Sequence, residues 1–154
     1  MKIAMATDHA AFSLKEKIKN YLLSSGYEII DFGCYSEEPV DYPLFISKAA
    51  RAVANGQCER GVVMCGSGIG ASIVANKIKG IRCALVYTPE LCRLARQHNN
   101  ANMIALAGRF TEENIATRIV DVFLLTQFEG ERHLRRINQI LEIEEGKYDD
   151  YKKY

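Results

Sequence analysis

The chain has 154 residues, 48% of them apolar and 25% charged, which suits one globular domain with a sizeable buried core. A formal net charge of +1 supplies no basic field for nucleic acid or for an anionic membrane surface, and the apolar runs are far too short to span a bilayer. No signal-peptide pattern opens the sequence and the five cysteines (Cys34, Cys58, Cys65, Cys83, Cys92) form no C-x-x-C pair, so the expectation is a cytoplasmic protein with reduced thiols, no disulfide framework and no zinc site.

Lys2 to Ala6 reads as a first strand that delivers Thr7, Asp8 and His9 to its end. From Ala11 to Ser25, Phe12, Leu14, Ile18, Tyr21 and Leu22 recur at helical spacing between lysines, and Gly26 stops the amphipathic helix. Tyr27 to Phe32 is a short strand. Gly33 to Pro43, with Glu37, Glu38, Pro39, Asp41 and Tyr42, is a polar loop, read first as a solvated connection and second as a cover over a site. Leu44 to Asn55 is an alanine-rich helix. Gly61 to Cys65 is a buried strand, followed by glycines at 66, 68 and 70 and a helix to about Lys79. Ile81 to Val86 makes a fourth strand, and Pro89 opens a helix ending at Gln97-His98-Asn99-Asn100. Met103 to Ala107 is a fifth strand, followed by helices over about Thr111–Leu125 and Gly130–Glu144. Strands alternating with helices predict a single α/β domain over residues 1–145, a doubly wound, Rossmann-like, five-stranded parallel sheet with helices on both faces. Residues 146–154 form a charged, aromatic tail without a core pattern, read as frayed or docked on a partner.

Chemistry collects at the predicted strand ends, where ligands bind in open α/β sheets. The alternating glycines of Cys65-Gly66-Ser67-Gly68-Ile69-Gly70 let backbone N–H groups crowd inward, which makes an anion-binding turn, and a thiol at its mouth is placed to act as base or nucleophile. The plainer alternative is a buried cysteine beside glycines that only pack helix on strand. Arg132 and Arg136 lie one helical turn apart and are able to grip a phosphate from two directions, or else form a solvated basic face. His98 either serves a site or caps its helix. These features suggest a phosphorylated small molecule and proton transfer. A dinucleotide-binding module is a rival, with Glu90 at about the right distance, but G-x-G-x-G after the third strand fits its G-x-G-x-x-G fingerprint poorly. A redox or phospho-relay protein built on Cys65 lacks an obvious resolving cysteine nearby.

The chain also resembles the type B ribose-5-phosphate isomerases, in the wider group that includes galactose-6-phosphate isomerase subunits. The matching pieces are Thr7-Asp8-His9-Ala10, Val40-Asp41-Tyr42-Pro43, the Cys65 to Gly70 run, Ala75-Asn76-Lys77, Gly80-Ile81-Arg82, Arg96 to Asn102 and Gly130-Glu131-Arg132-His133. They run in family order over nearly the whole chain. The resemblance implies interconversion of ribose 5-phosphate and ribulose 5-phosphate through an enediolate, without metal or organic cofactor. It implies Cys65 as general base, with Ser67 and the N–H groups from Gly66 through Gly68 to Gly70 holding the oxyanion. It implies His98 in furanose ring opening, Asp8, Tyr42 and Asn99 on hydroxyls, and His9, Arg109, Arg132 and Arg136 on the phosphate. It further implies a homodimer or tetramer, with the C-terminal helix used in assembly and each site shared between subunits. Ala71 stands where another branch carries an acidic base, which places this chain in the cysteine branch. Two positions depart from the pattern: Ser67 is often threonine, and Glu131 replaces a usual glycine, setting an anion beside the implied phosphate ligands. A six-carbon sugar phosphate (allose 6-phosphate or galactose 6-phosphate) and a non-catalytic sugar-phosphate-binding regulator are the alternatives.

Overall fold

The computed structural model describes residues 1–147; residues 148–154, on which most of the tail reading falls, lie outside the described residues. The strands are β1 (Lys2–Ala6), β2 (Glu28–Asp31), β3 (Arg60–Cys65), β4 (Cys83–Leu85) and β5 (Met103–Ala107), and the helices are α1 (Phe12–Ser24), α2 (Tyr42–Ala54), α3 (Ile69–Ala75), α4 (Pro89–Asn99), α5 (Glu113–Leu125) and α6 (Glu131–Glu144). All four strand pairings are parallel, in the order β2-β1-β3-β5-β4. A helix follows each strand, as parallel pairing of sequential strands requires.

Residue alternation along the central strands divides the core in two. Ile3, Met5, Val62, Met64, Ile104 and Leu106 face α1, α4 and α5, where Ile18, Leu22, Cys92, Ile119 and Phe123 complete one cluster. Ala4, Ala6, Val63, Cys65, Met103 and Ala105 face α2 and α3, where Ile46, Ala49, Ala50, Val53, Ala71 and Ala75 complete the other. Small residues on that second face let α2 and α3 approach closely. β3 from Gly61 onward and all of β5 are buried on both faces, which explains why their sequences read as unbroken apolar runs. α6 buries only His133 and Ile137 of its own residues, while Leu134, Ile140 and Ile143 stay exposed.

Two helix ends differ from expectation. α2 begins at Tyr42, inside the segment read as loop, with Pro43 in its first turn. α3 stops at Ala75 instead of about Lys79 because Asn76 leaves the helix to serve the edge strand β4. Its Nδ2 donates to the Ser72 and Cys83 carbonyls at 3.0 and 2.8 Å, and its Oδ1 accepts the Cys83 N–H at 2.8 Å. A side-chain amide thus stands in for the missing neighbour of an edge residue.

The chain goes from β1 to β2 on one side and to β3 on the other. This switch point opens a crevice between the loops that follow β1 and β3.

Candidate active site

β1 runs into Asp8, whose carboxylate accepts the Ala10 N–H at 3.0 Å and caps a 3₁₀ turn over His9–Ala11. The His9 ring accepts the Val40 N–H through Nδ1 at 3.2 Å, so in the neutral ring the proton sits on Nε2. Val40 belongs to the loop before α2, so that loop touches the site as well as connecting elements.

Across the crevice β3 ends at Cys65, 4% exposed. Gly68 takes φ +76°, and a Cβ there would lie 2.9 and 3.0 Å from the Leu106 carbonyl carbon and oxygen, so no side chain fits. At Gly70 a Cβ would lie 2.6 Å from Cζ and 2.8 Å from the hydroxyl of Tyr42, which places the phenol directly on the turn. Ser67 Oγ accepts the Ile69 N–H at 3.3 Å, while the N–H groups of Ser67, Gly70 and Ala71 find no acceptor among the described residues. β5 contributes from the other side: Gly108 N–H donates to the Cys65 carbonyl at 2.9 Å and Arg109 N–H to the Gly66 carbonyl at 3.0 Å. That register carries the exposed Arg109 side chain over Gly66.

Asp8, His9, Tyr42, Cys65, Gly66, Ser67, Gly70 and Arg109 together line a cleft of about 510 Å³, with Ile69, Ile73 and Phe110 at its mouth. None of the other four cysteines lines it. Burial pushes the thiols of Cys83 and Cys92 up to about 12, and it raises those of Cys34 and Cys58 as well. The cleft is therefore lined by a cysteine, a serine, a tyrosine, an arginine and a turn with unpaired N–H groups, residue types able to take a proton from carbon and to hold the oxyanion that results.

His98, Asn99, Arg132 and Arg136 are absent from the cleft lining. α4 runs back along the sheet, so His98 and Asn99 in its last turn lie at the edge where β5 starts, not where it ends. The five residues of β5 put roughly 15 Å between the two edges. α6 is entered from that same far edge. Arg96, 2% exposed, braces it by donating to the Thr126 carbonyl at 3.2 Å, Asn100 Oδ1 at 2.9 Å and the Ala101 carbonyl at 2.6 Å.

Here the His98 and His133 rings stack, with centroids 4.3 Å apart and planes 6° from parallel. Glu129 Oε2 lies 3.8 Å from His98 Nε2 and 3.6 Å from His133 Nε2, and Arg132 Nε donates to His133 Nε2 at 3.3 Å. Burial depresses the His133 pKa, with His98, Arg132 and Arg136 acting in the same direction and Glu129 against it. The donor atoms of His98, Glu129 and His133 lie within 4.8 Å of one another. A metal bound to both rings, however, must sit about 2 Å from each nitrogen along its in-plane lone pair, and stacked planes have no such common point. Asn99 borders a separate hollow of about 550 Å³ with Ile140 and Ile143. Glu129 is the member of this group that the sequence reading did not name, and His133 appeared there only within the Gly130-Glu131-Arg132-His133 motif, without a role. The carboxylate four residues before a histidine was the available signal, but nothing local says that both meet a ring in α4.

Residues 3–140 match the family model described as Ribose/Galactose Isomerase. Ribose-5-phosphate isomerase B of Escherichia coli is 43% identical over 144 residues, covering 94% of this chain and 97% of the relative. The solved ribose-5-phosphate isomerase B of Clostridium thermocellum superposes with a TM-score of 0.94 at 46% identity, over 95% of this chain and 99% of that one. A Mycoplasma genitalium ribose-5-phosphate isomerase B, solved with bound ribulose-5-phosphate, superposes with a TM-score of 0.89 at 39% identity, over 94% and 96% of the two chains. The chain belongs to the ribose/galactose isomerase family.

Proposed function

We propose that this chain is an aldose–ketose isomerase that interconverts ribose 5-phosphate and ribulose 5-phosphate through an enediolate, with Cys65 as the base. The observation that carries this reading is that Cys65, at the end of β3, lines the cleft beside a glycine turn whose N–H groups at Ser67, Gly70 and Ala71 have no acceptor among the described residues. It is supported by relatives named for that reaction and by one solved with the ketose product. The Cys65 thiolate takes the proton from C2 of the open-chain aldose. The C2–H electron pair becomes the C1=C2 bond, and the carbonyl pair moves to O1, where Ser67 and the turn N–H groups receive the charge. The thiol then returns its proton to C1 while the O2 proton passes to O1. Every proton and electron is accounted for within the sugar and the thiol, with no cofactor.

Asp8 and Tyr42 suit sugar hydroxyls, and His9 and Arg109 the phosphate. His98, Asn99, Arg132 and Arg136 complete the site from a partner copy, His98 acting in ring opening and the two arginines on the phosphate. Support comes from their place at the far edge of the sheet and from the exposed apolar residues on both surfaces: Ile69, Ile73 and Phe110 at the cleft mouth, Leu134, Ile140 and Ile143 on α6. A homodimer, or a tetramer built from it, follows, with α6 in the interface. The cytoplasm is the location assigned, supported by five free cysteines and by the absence, among the described residues, of a helix long and apolar enough to cross a membrane.

The test is conversion of ribose 5-phosphate by the purified protein and by Cys65→Ala, with allose 6-phosphate in a parallel assay. Wild type should form ribulose 5-phosphate, and Cys65→Ala should lose about 10²–10⁴-fold in kcat, the worth of a positioned base, while still binding a phosphate analogue. Wild-type turnover by Cys65→Ala would remove the base from the scheme.

A further inference from the structure

We infer that Arg96 is a positioning residue for the half of the site that the far edge supplies. Its buried guanidinium holds α4's last turn, with His98 and Asn99, at a fixed offset from the connection that leads to Arg132 and Arg136 on α6. This rests on the reading above that those four residues serve a partner's cleft. Arg96 is 2% exposed and does not line the cleft of its own chain. Burial pushes its pKa down to about 10, and the nearby cations Arg60 and Arg82 act the same way. Its hydrogen bonds go to uncharged oxygens. An apolar side chain would fill the same volume without the cost of burying a charge, so the guanidinium is there for its geometry.

That geometry is a planar fork set into two segments. Nε donates to the Thr126 carbonyl at 3.2 Å, where α5 ends and the chain turns toward α6. Nη1 donates to Asn100 Oδ1 at 2.9 Å and to the Ala101 carbonyl at 2.6 Å, immediately after α4. Asn100 takes φ 44° and ψ 44°, a left-handed cap that closes α4 directly after His98 and Asn99, and its side chain is held by Arg96. Arg82 gives its hydrogen bonds to the Asn99 and Asn100 carbonyls, so it fixes the end of α4 without reaching Thr126. A main-chain bond from Glu129 N–H to the Gln97 carbonyl, at 3.1 Å, also joins the two segments. One such bond sets a distance and leaves rotation free; the fork removes the rotation. The near-parallel stacking of His98 on His133, 6° between planes, is the outcome of that alignment. Groups from two helices must reach one substrate together, and a displacement of about 1 Å costs on the order of 10²-fold in rate.

Chain pairing separates this role from general support of the fold. In a mixed dimer each site takes Cys65 from one chain and the far-edge groups from the other. Arg96→Met, which keeps the apolar stem and removes the donors, should lower kcat/KM for ribose 5-phosphate at least about tenfold. Arg96→Lys should do the same, because a point donor cannot span both segments. Co-expressing Arg96→Met with Cys65→Ala should bring activity to about a quarter of wild type, since the Arg96→Met chain still offers an intact Cys65 half. Co-expressing it with a chain carrying both Arg132→Ala and Arg136→Ala should recover nothing, because neither chain then offers a working far-edge half. A smaller loss, no recovery with Cys65→Ala, or recovery with the arginine double variant overturns the role. A thermal melt identifies an unfolded Arg96→Met, in which case the same readings on Arg96→Lys decide; loss of the fold in both variants assigns Arg96 to the fold and overturns the role. Cys65→Ala with the arginine double variant is the control. Recovery there while Arg96→Met fails beside Cys65→Ala overturns this inference alone, whereas no recovery in the control fails the shared-site reading and this inference with it.

Discussion

Glu131 opens α6 at φ +43°, in the left-handed region that costs a side chain with a Cβ about 1–2 kcal/mol. Its carboxylate in the first helical turn returns about 0.3–1 kcal/mol, and the flexibility of an unfolded glycine takes back a similar amount, so the strain wins narrowly. Glu131→Gly should stabilise the chain only slightly, by about 0.2 kcal/mol, a rise in Tm of under about 1 °C at this size, readable by calorimetry. KM for ribose 5-phosphate should not change. The side chain lies on the face of α6 with Arg135 and Asn138, not with Arg132 and Arg136. At this scale the sequence exposed the identity of the unusual residue and its neighbours, and suggested an anion beside the phosphate ligands. It did not expose the left-handed backbone at Glu131, which no residue pattern announces. The three glycines after Cys65 were legible in the same partial way: visible as a turn, but silent about the Leu106 carbonyl and Tyr42 ring that exclude side chains at Gly68 and Gly70.

Among the elements, α1 holds the loop that leads to the site. Lys15, fully buried, donates from Nζ to both Asp31 oxygens at 2.7 and 2.8 Å and to the Cys34 carbonyl at 2.8 Å, fastening the end of β2 and the start of the loop that reaches His9. Burial pushes the Asp31 carboxyl up, but hydrogen bonds from Lys15, the Gly33 N–H and Lys19 outweigh it and hold the group below its ordinary value. Lys15→Met should cost about 3 kcal/mol near pH 7 in urea unfolding, the usual loss when one partner of a buried pair is removed. The sign of the pH dependence follows from the lowered carboxyl: its contribution is present above the unfolded pKa of about 4 and is lost as pH falls through the folded value, so wild type and variant should converge in acid. Periodicity found α1 to within a residue at each end, because its apolar stripe is an intrinsic property of the sequence. It marked the lysines only as polar positions. A lysine buried by a carboxylate 16 residues away leaves no periodic trace, and neither does Asn76, whose bonds to Cys83 shorten α3.

For the molecule as a whole, the two halves of the proposed site lie on opposite edges of one sheet. Co-expressing Cys65→Ala with a chain carrying both Arg132→Ala and Arg136→Ala should recover activity that neither shows alone. With random pairing about half the dimers are mixed and each keeps one intact site of two, so about a quarter of wild-type turnover is the expected yield. No recovery would place all the groups within one chain. The parallel sheet was legible from the alternation of strand and helix, and the residues proposed for the two halves were named from the family resemblance. The resemblance implied a site shared between subunits but not which residues fall on which edge; that depends on the direction of α4 and on strand order, which the assembled topology supplies.

The carbonyl of Cys65 accepts hydrogen bonds from Gly108 and Gly68, and its strand is paired on both sides, by β1 and β5. The sulfur is thus anchored in the part of the sheet that opens last when a fold breathes, whereas lids and catalytic loops in many proteins come from the weakest regions. Heating should leave no window in which the scaffold survives but its reacting atom has wandered; for this molecule, losing the chemistry and losing the native state are one event.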